Sequence, residues 1–426
     1  MAGNAPSAQG LGLPTGTLDK GDVLLRQVRL LDPASGRDEV TDVQLQKGTI
    51  QAIGLTLPNP DNLPEYRAQG WVLGPGLVDL YSQSSEPGYE GRETLEQLVQ
   101  QAWTGGFTRL TLLPHTQPVV DNGAVVTWWR QQQTCVPVKL QLWGALTQGA
   151  QGQQMAELRE LAQAGVVGFG EGRPCVRWEL LQQILRYAQP LGKPVMLWPC
   201  DTACRAHGVA RPGVGSLTLG LPETPAAAET AVLAGICEWL RLYPTPVHLM
   251  RISTARSVAL IAQAKEAGLP ITASTPWTHL LWDSSHLTSY NPYLRFDPPL
   301  GNPDDRQALI AGLKSGVIDA IAIDHQAYTY EEKMVPFAMA PPGINGLSVA
   351  LSYLWAGLVV PQYLTPLELW SALSAQPLAC LGLAPVSLTP GQAAECTLFA
   401  PDEAPPARLP LPGTPQGRVQ QVLTGD

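Results

Sequence analysis

The feature that most narrows the fold is an alternation of short apolar runs with amphipathic stretches through the middle of the chain. The apolar runs are Leu77 to Leu80, Thr108 to Leu113, Val138 to Leu146, Val166 to Phe169, Val195 to Trp198, Val247 to Ile252, Pro270 to Ala273 and Ile318 to Ile323. Short runs of this kind, recurring with helical stretches between them, read as strands of a strand–helix alternation. Between them lie stretches of helical character such as ETLEQLVQQAW, AELRELAQAG, ARSVALIAQAKEAG and DDRQALIAGLKSG. The last three close on Gly165, Gly268 and Gly316, residues suited to the left-handed turn that ends a helix. Eight such strands in about 250 residues have the count and size of a (β/α)8 barrel. An open doubly wound sheet is the competing arrangement, and the lack of a Gly-rich phosphate turn after the first strand speaks against it.

The two ends of the chain differ from this middle. Residues 1–21 are small, polar and Gly/Pro-rich and read as a flexible leader. VLLRQVRLL, VTDVQLQKG and TIQAIGL are runs rich in β-branched residues, separated by turn residues, and predict a small antiparallel sheet. A late strand in LTPGQAAECTLFAP has no place left in a barrel, so it is expected to return to that sheet, while the Pro-rich tail from Pro401 reads as irregular. The expected organisation is therefore a β-sandwich from residues 22–73 plus 385–426, flanking a barrel over 74–384.

Composition removes several function classes. With 27 basic and 36 acidic residues and no basic run, neither nucleic acid nor an anionic membrane surface is an expected partner. Seven scattered cysteines favour reduced thiols and a cytoplasmic location over a disulfide framework. The first residues lack the charged start and apolar core of a signal peptide, and no apolar run reaches the ~18 residues of a membrane span.

Barrel enzymes set their reacting groups at the C-terminal ends of the strands. Those ends carry Asp79-Leu80-Tyr81-Ser82-Gln83, Leu113-Pro114-His115-Thr116, Phe169-Gly170-Glu171-Gly172, Trp198-Pro199-Cys200-Asp201, Met250-Arg251-Ile252-Ser253 and Ile323-Asp324-His325. Here GPGLVDLYSQSSEPG resembles the dihydroorotase and cyclic amidohydrolase signature PGLIDxHxHxREPG. LPHTQPVVD resembles MPNTxPxxD, and VHLMRISTARSVALI resembles HxxHxST. YNPYLRFDPPL, DDRQALIAGLKSGVIDAIAIDH and EEKMVPFAMAPPGINGL are similar to NPPLR, DRxALxxGLxxGxIDxIATDHAPH and EEKxxPFxxAPxGxxGL. The similarity runs from about residue 22 to 400, and over this length the chain resembles the dihydroorotase family within the amidohydrolase superfamily. The resemblance implies an amidohydrolase-type barrel, a zinc-activated hydroxide that cyclises carbamoyl aspartate, and a proton-shuttling aspartate ending strand eight.

The ligand positions depart from the pattern together. Tyr81 and Gln83 stand where the resemblance places the HxH pair, Trp198 stands for the histidine ending strand five, and Arg251 for the histidine before the Ser-Thr dipeptide. An indole N–H and a guanidinium donate hydrogen bonds but offer a metal no lone pair. The strand-four carboxylate falls near Gly170 or Glu171. Only Asp324, the vestigial base position, keeps the family identity among the ligands. In the substrate pocket, Ser85 replaces the carboxylate-binding arginine, His115 the strand-two asparagine, and Tyr328 the histidine of DHAPH, while Asn291 and Gly343 are retained. The expectation is that zinc is absent and dihydroorotase activity is missing, since a zinc site does not survive such changes.

Other features have plainer readings. Cys200, Cys204 and His207 suggest buried thiols in a loop more than a relocated zinc site, which would bring a fourth ligand. His248 is expected to pack rather than ligate, and His115 to make a polar contact in the pocket. A buried Asp324 without metal needs a partner. Arg251 is the expected one, pairing with Asp324 or with Asp79. Trp198, Trp277 and Trp282 are expected to gather around the mouth and plug it, unless they are ordinary core residues.

Three roles suit such a chain. By family resemblance, inactive dihydroorotase-like chains serve as structural partners of aspartate carbamoyltransferase in pyrimidine synthesis, as homo- or hetero-oligomers. A residual dihydroorotase or related amidohydrolase with an atypical site is the second. A metal-free small-molecule binding protein using the barrel mouth is the third.

Overall fold

The computed structural model describes residues 22–133, 136–174, 177–405 and 407–424. The N-terminal strands are β1 (Val23–Asp32), β2 (Arg37–Gln46), β3 (Thr49–Gly54), β4 (Glu65–Arg67) and β5 (Val72–Pro75). Alternation along β1 and β2 buries Leu25, Leu30, Val43 and Leu45 against one another. Burial of each such side chain favours folding by about 1.5–3 kcal/mol. The sheet is mixed rather than antiparallel throughout, because β4 and β5 both run parallel to β1. Residues 55–64, between β3 and β4, are long enough to bring the chain back in the same direction, which the local strand pattern alone does not reveal.

The central alternation becomes β6 (Leu77–Ser82), β7 (Phe107–Leu112), β8 (Lys139–Gly144), β9 (Gly168–Pro174), β10 (Val195–Trp198), β11 (Val247–Leu249), β12 (Ile271–Pro276) and β13 (Ala320–Ala322). These pair in sequence order as parallel neighbours in one eight-stranded sheet. Helices α1 (Leu95–Thr104), α2 (Gly123–Gln133), α3 (Leu158–Ala164), α4 (Trp178–Ala188), α5 (Ala227–Leu242), α6 (Ala255–Glu266) and α7 (Pro303–Ser315) lie between the strands. The expected (β/α)8 barrel is what forms. Helix boundaries follow the sequence signals: Thr94 and Gln97 make a reciprocal cap at the start of α1. Gly165 and Gly316 take left-handed conformations at the ends of α3 and α7.

Closure between β6 and β13 relies on a side chain. Asp79 Oδ1 accepts the Ile323 backbone N–H at 2.8 Å, and Gln83 N donates to His325 O at 2.9 Å. Asp79 is fully buried, and burial raises its pKa to about 7. It thus staples the barrel seam and makes no ion pair with Arg251.

The late strand returns as expected: β14 (Cys396–Ala400) pairs antiparallel with β5. The tail is not wholly irregular, because β15 (Arg418–Leu423) pairs antiparallel with β14. Arg418–Leu423 is RVQQVL, whose β-branched content is masked in the sequence by the prolines and glycines before it. The result is one seven-stranded sheet from both chain ends. Glu395, just before β14, ties this sheet to the barrel strands. Its carboxylate accepts from Arg109 at 2.6 and 2.8 Å and from Lys139 at 2.7 Å, which pulls its pKa down to about 2 despite the opposing effect of burial. Among the described residues no helix is long and apolar enough to cross a membrane.

Candidate functional site

The C-terminal ends of the barrel strands converge on a mouth whose centre is the pair Arg251–Asp324. Both residues adopt left-handed backbone conformations, with φ of 56° and 50°. For a side-chain-bearing residue this costs roughly 1–3 kcal/mol, so the surroundings must hold it there. They do so with many contacts. Arg251 Nε and Nη2 donate to Asp324 Oδ2 and Oδ1 at 2.6 and 2.7 Å, a two-point guanidinium–carboxylate contact. Nη1 donates to Gly172 O at 2.9 Å, and the guanidinium lies 4.9 Å from the centre of the Trp198 ring. With the Gln326 amide oriented so that its nitrogen donates to Pro342 O and Tyr328 Oη, its oxygen accepts from Arg251 Nη2 at 3.1 Å. Burial opposes the charge on Arg251, and the Asp324 carboxylate outweighs it, so its pKa is raised.

Tyr81 extends this network into the barrel. Its side chain is fully buried, and its Oη accepts the Arg251 backbone N–H at 3.1 Å and lies 3.2 Å from Ser274 Oγ. Ser274 Oγ in turn lies 2.8 Å from His248 Nε2, and His248 Nδ1 lies 2.9 Å from Thr272 Oγ1. Burial lowers the His248 pKa to about 3, so this histidine is neutral. Its two nitrogens serve neighbouring hydroxyls, in line with the packing role expected of it.

These atoms do not fit zinc. Both oxygens of Asp324 are occupied by the guanidinium, and the side chains beside it offer N–H groups or a buried phenol in place of imidazole lone pairs. Among the described residues no group of three or more His, Cys, Asp or Glu side chains is placed to hold a metal ion. Glu171 turns elsewhere: its carboxylate accepts from Thr147 N and Oγ1 at 2.7 and 2.5 Å, anchoring a loop.

The space left at the mouth is small. A cavity of about 20 Å³ is lined by Asp324, Gln326, Gly343, Trp277, Thr278 and His279, among others. That is room for about one water, whereas small-molecule sites span roughly 300–1,000 Å³. Of the sequence-derived pocket positions only Gly343 lines it. Gly343 has φ of +106°, and a Cβ there would come within 2.9 Å of the Gln326 side chain. Tyr328 stands behind the lining, its hydroxyl donating to Pro342 O at 2.9 Å. His115 is part-buried against the Glu171 carbonyl, with its pKa lowered to about 4 by burial. Asn291 lies outside the cavity: its amide donates to Pro410 O at 2.5 Å and its carbonyl caps a short turn. Gln83 and Ser85 do not line the cavity either.

The three tryptophans do not form one plug. Trp277 and Trp282 meet edge to face at 5.5 Å and share Tyr353 as a neighbour, while Trp198 caps Arg251. Trp198 belongs to a buried cluster with Leu80, Tyr81 and Met250, separate from the cluster that holds Trp277 and Trp282.

Several residues at or behind the mouth were given no role by the sequence. His325 is fully buried with Nε2 at 3.0 Å from Glu93 Oε2, across 232 residues of chain. Gln326, which holds both Arg251 and Tyr328, is marked only by its place after Asp324-His325. Thr278 and His279 line the cavity from a short helix after β12 that no motif announces.

A parallel eight-stranded barrel with an attached sheet from both chain ends is the amidohydrolase-type (β/α)8 fold. Among solved structures, L-hydantoinase (dihydropyrimidinase) from Arthrobacter aurescens superposes with a TM-score of 0.77 at 19% identity, over 90% of this chain and 87% of that one. At that identity the likeness is one of fold. The family description "Dihydro-orotase-like" matches residues 70–183. A "Probable dihydroorotase-like protein" of Synechocystis sp. is 45% identical over 409 residues, 89% of this chain and 91% of the relative. A "Dihydroorotase" of Pelotomaculum thermopropionicum is 34% identical over 385 residues, 90% of each. The chain belongs to the dihydroorotase-like family.

Proposed function

We propose that this chain is a zinc-free, catalytically inactive dihydroorotase-like protein of de novo pyrimidine biosynthesis, acting in the cytoplasm as a structural partner of aspartate carbamoyltransferase. The observation that carries the inactive reading is the Arg251–Asp324 contact. A base must have a free lone pair within reach of substrate, and here a guanidinium covers both carboxylate oxygens. A mouth cavity of about 20 Å³ supports the same conclusion, because carbamoyl aspartate needs far more room. The transcarbamoylase partner rests on family resemblance, as does assembly into an oligomer.

One preparation tests both halves. Elemental analysis is expected to find zinc well below one equivalent, with no dihydroorotate formed from carbamoyl aspartate by the same sample. Stoichiometric zinc together with turnover would refute inactivity. The chain is expected to co-elute with the transcarbamoylase of the same organism, and separate elution at micromolar concentrations of both would refute the partnership.

A further inference from the structure

A second cavity, of about 380 Å³, opens between α3 and α4 on the outer wall and shares no lining residue with the mouth. Its size falls within the range of small-molecule sites. Arg159 reaches it from the first turn of α3, and Gln183, Arg186 and Tyr187 from one face of α4, where residues three and four apart are neighbours. Met155, Pro190 and Leu191 supply an apolar floor. Among the described residues neither Arg159 nor Arg186 has a carboxylate or hydrogen-bond partner, in a chain whose acidic residues outnumber its basic ones by 36 to 27. Both guanidinium groups line the same concavity, so an anion seated there meets two cations at once. Tyr187, 38% exposed, adds a ring beside them.

We propose that this cavity binds an aryl or nucleoside monophosphate, its phosphate held by Arg159 and Arg186 and its ring set against Tyr187 and the apolar floor. Planar guanidinium groups suit phosphate oxygens in two-point contacts, and offset stacking suits a flat ring. A bare anion would leave the apolar half of the cavity unused. An acidic protein surface is disfavoured by size, since stable interfaces cover about 800 Å² per partner while this cavity has only seven lining residues.

Titration calorimetry on the full chain with phenyl phosphate, inorganic phosphate and benzyl alcohol tests this. Phenyl phosphate is expected to bind about tenfold more tightly than inorganic phosphate, with affinity falling as salt rises, and benzyl alcohol not to bind measurably. The double variant R159A/R186A should weaken phenyl phosphate by at least about 30-fold, and R159K/R186K by an intermediate factor, because lysine keeps the charge but not the fork. Both arginines are exposed and unpartnered, so the melting temperature of each variant should match the parent. No binding up to about 10 mM phenyl phosphate, or equal binding by R159A/R186A and the parent, would overturn the site. Equal affinity for inorganic and phenyl phosphate would overturn the aryl assignment. If R159A/R186A kept phenyl phosphate binding but lost assembly with a protein partner, the cavity would be an interface and the proposal would fall.

Discussion

Replacing Arg251 by methionine isolates the contact at the centre of the mouth. Methionine follows much of the arginine's apolar path and removes the charge, leaving Asp324 with no cation in the place the guanidinium filled. The side chains of Arg251 and Asp324 are only 5% and 12% exposed, so water does little to stabilise the remaining carboxylate. Breaking a buried pair on one side costs about 3–5 kcal/mol. The lost bond to Gly172 O and the contact with Trp198 act on the same group and are not additive with it, so about 4 kcal/mol is expected. An unfolding entropy of ~2.1 cal/mol/K per residue over a cooperative unit of roughly 300–400 residues converts this into a melting-point drop of about 5–6 °C. Thermal melts by circular dichroism and urea titrations at constant slope measure the two quantities. The decisive comparison is R251M/D324L. Removing both charges should recover at least about 2 kcal/mol of the loss, giving a coupling energy of that size in a double-mutant cycle. R251K should lie between the parent and R251M, since a single ammonium cannot engage both carboxylate oxygens as the guanidinium does. A loss below about 1 kcal/mol for R251M, or a double variant no more stable than the sum of the singles, would refute the idea that a counter-charge on Asp324 holds the mouth together.

Two carboxyls make opposite predictions about pH. Asp79 has its folded pKa raised to about 7, so the stability it lends is fully present below its unfolded pKa and is lost as pH rises from about 4 to about 7. A shift of roughly three units corresponds to about 4 kcal/mol, and the variant D79N should flatten stability measured by urea unfolding across that window. Glu395 has its folded pKa lowered to about 2, so its stabilisation is present above about pH 4.5 and lost as pH falls towards 2. The variant E395Q should be destabilised at neutral pH and should lose less on acidification than the parent, as read by thermal melts from pH 6 to 3; an unchanged acid limb would count against the Arg109–Glu395–Lys139 tie. Y81F should cost about 1–3 kcal/mol in urea unfolding, because the buried Arg251 N–H and Ser274 hydroxyl lose their shared partner. A neutral Y81F would mean the phenol oxygen does not support the strained backbone at Arg251.

The barrel was legible in the sequence because its signals are local. Runs such as Val195–Trp198 are buried along their whole length, and Gly165 and Gly316 end their helices through backbone conformations that glycine adopts freely. Part of the site was legible for a geometric reason. Parallel strands closed into a barrel bring their C-terminal ends to one rim, which puts a cation following β11 and a carboxylate following β13 on the same mouth, and Arg251 reaches Asp324 there. What sequence could not show is which way a polar side chain turns. Glu171 and Asp79 sit on strands that lead to the same rim, yet Glu171 folds back onto Thr147 and Asp79 closes the seam. Glu93 gives no sign that it pairs with His325, because that contact depends on how a long loop packs.

The changed positions make physical sense as one set. A carboxylate buried in this mouth needs a cation beside it. In the family pattern the resemblance gives that role to zinc, which requires several lone-pair donors aimed at one point. A guanidinium supplies the charge from a single side chain and needs acceptors instead. Around Arg251 the acceptors are in place: two oxygens of Asp324, the Gly172 carbonyl, the Gln326 amide oxygen and the face of Trp198. The phenol of Tyr81 then satisfies the backbone N–H that the left-handed turn at Arg251 turns inward. An imidazole restored at residue 198 alone would face this cation, and one at residue 81 the Arg251 backbone, with the guanidinium still on Asp324 in either case, so single reversions should not recover zinc binding. Elemental analysis of Y81H and W198H after dialysis against zinc is expected to give well below one equivalent, and one full equivalent in either would show that Arg251 does not control the site.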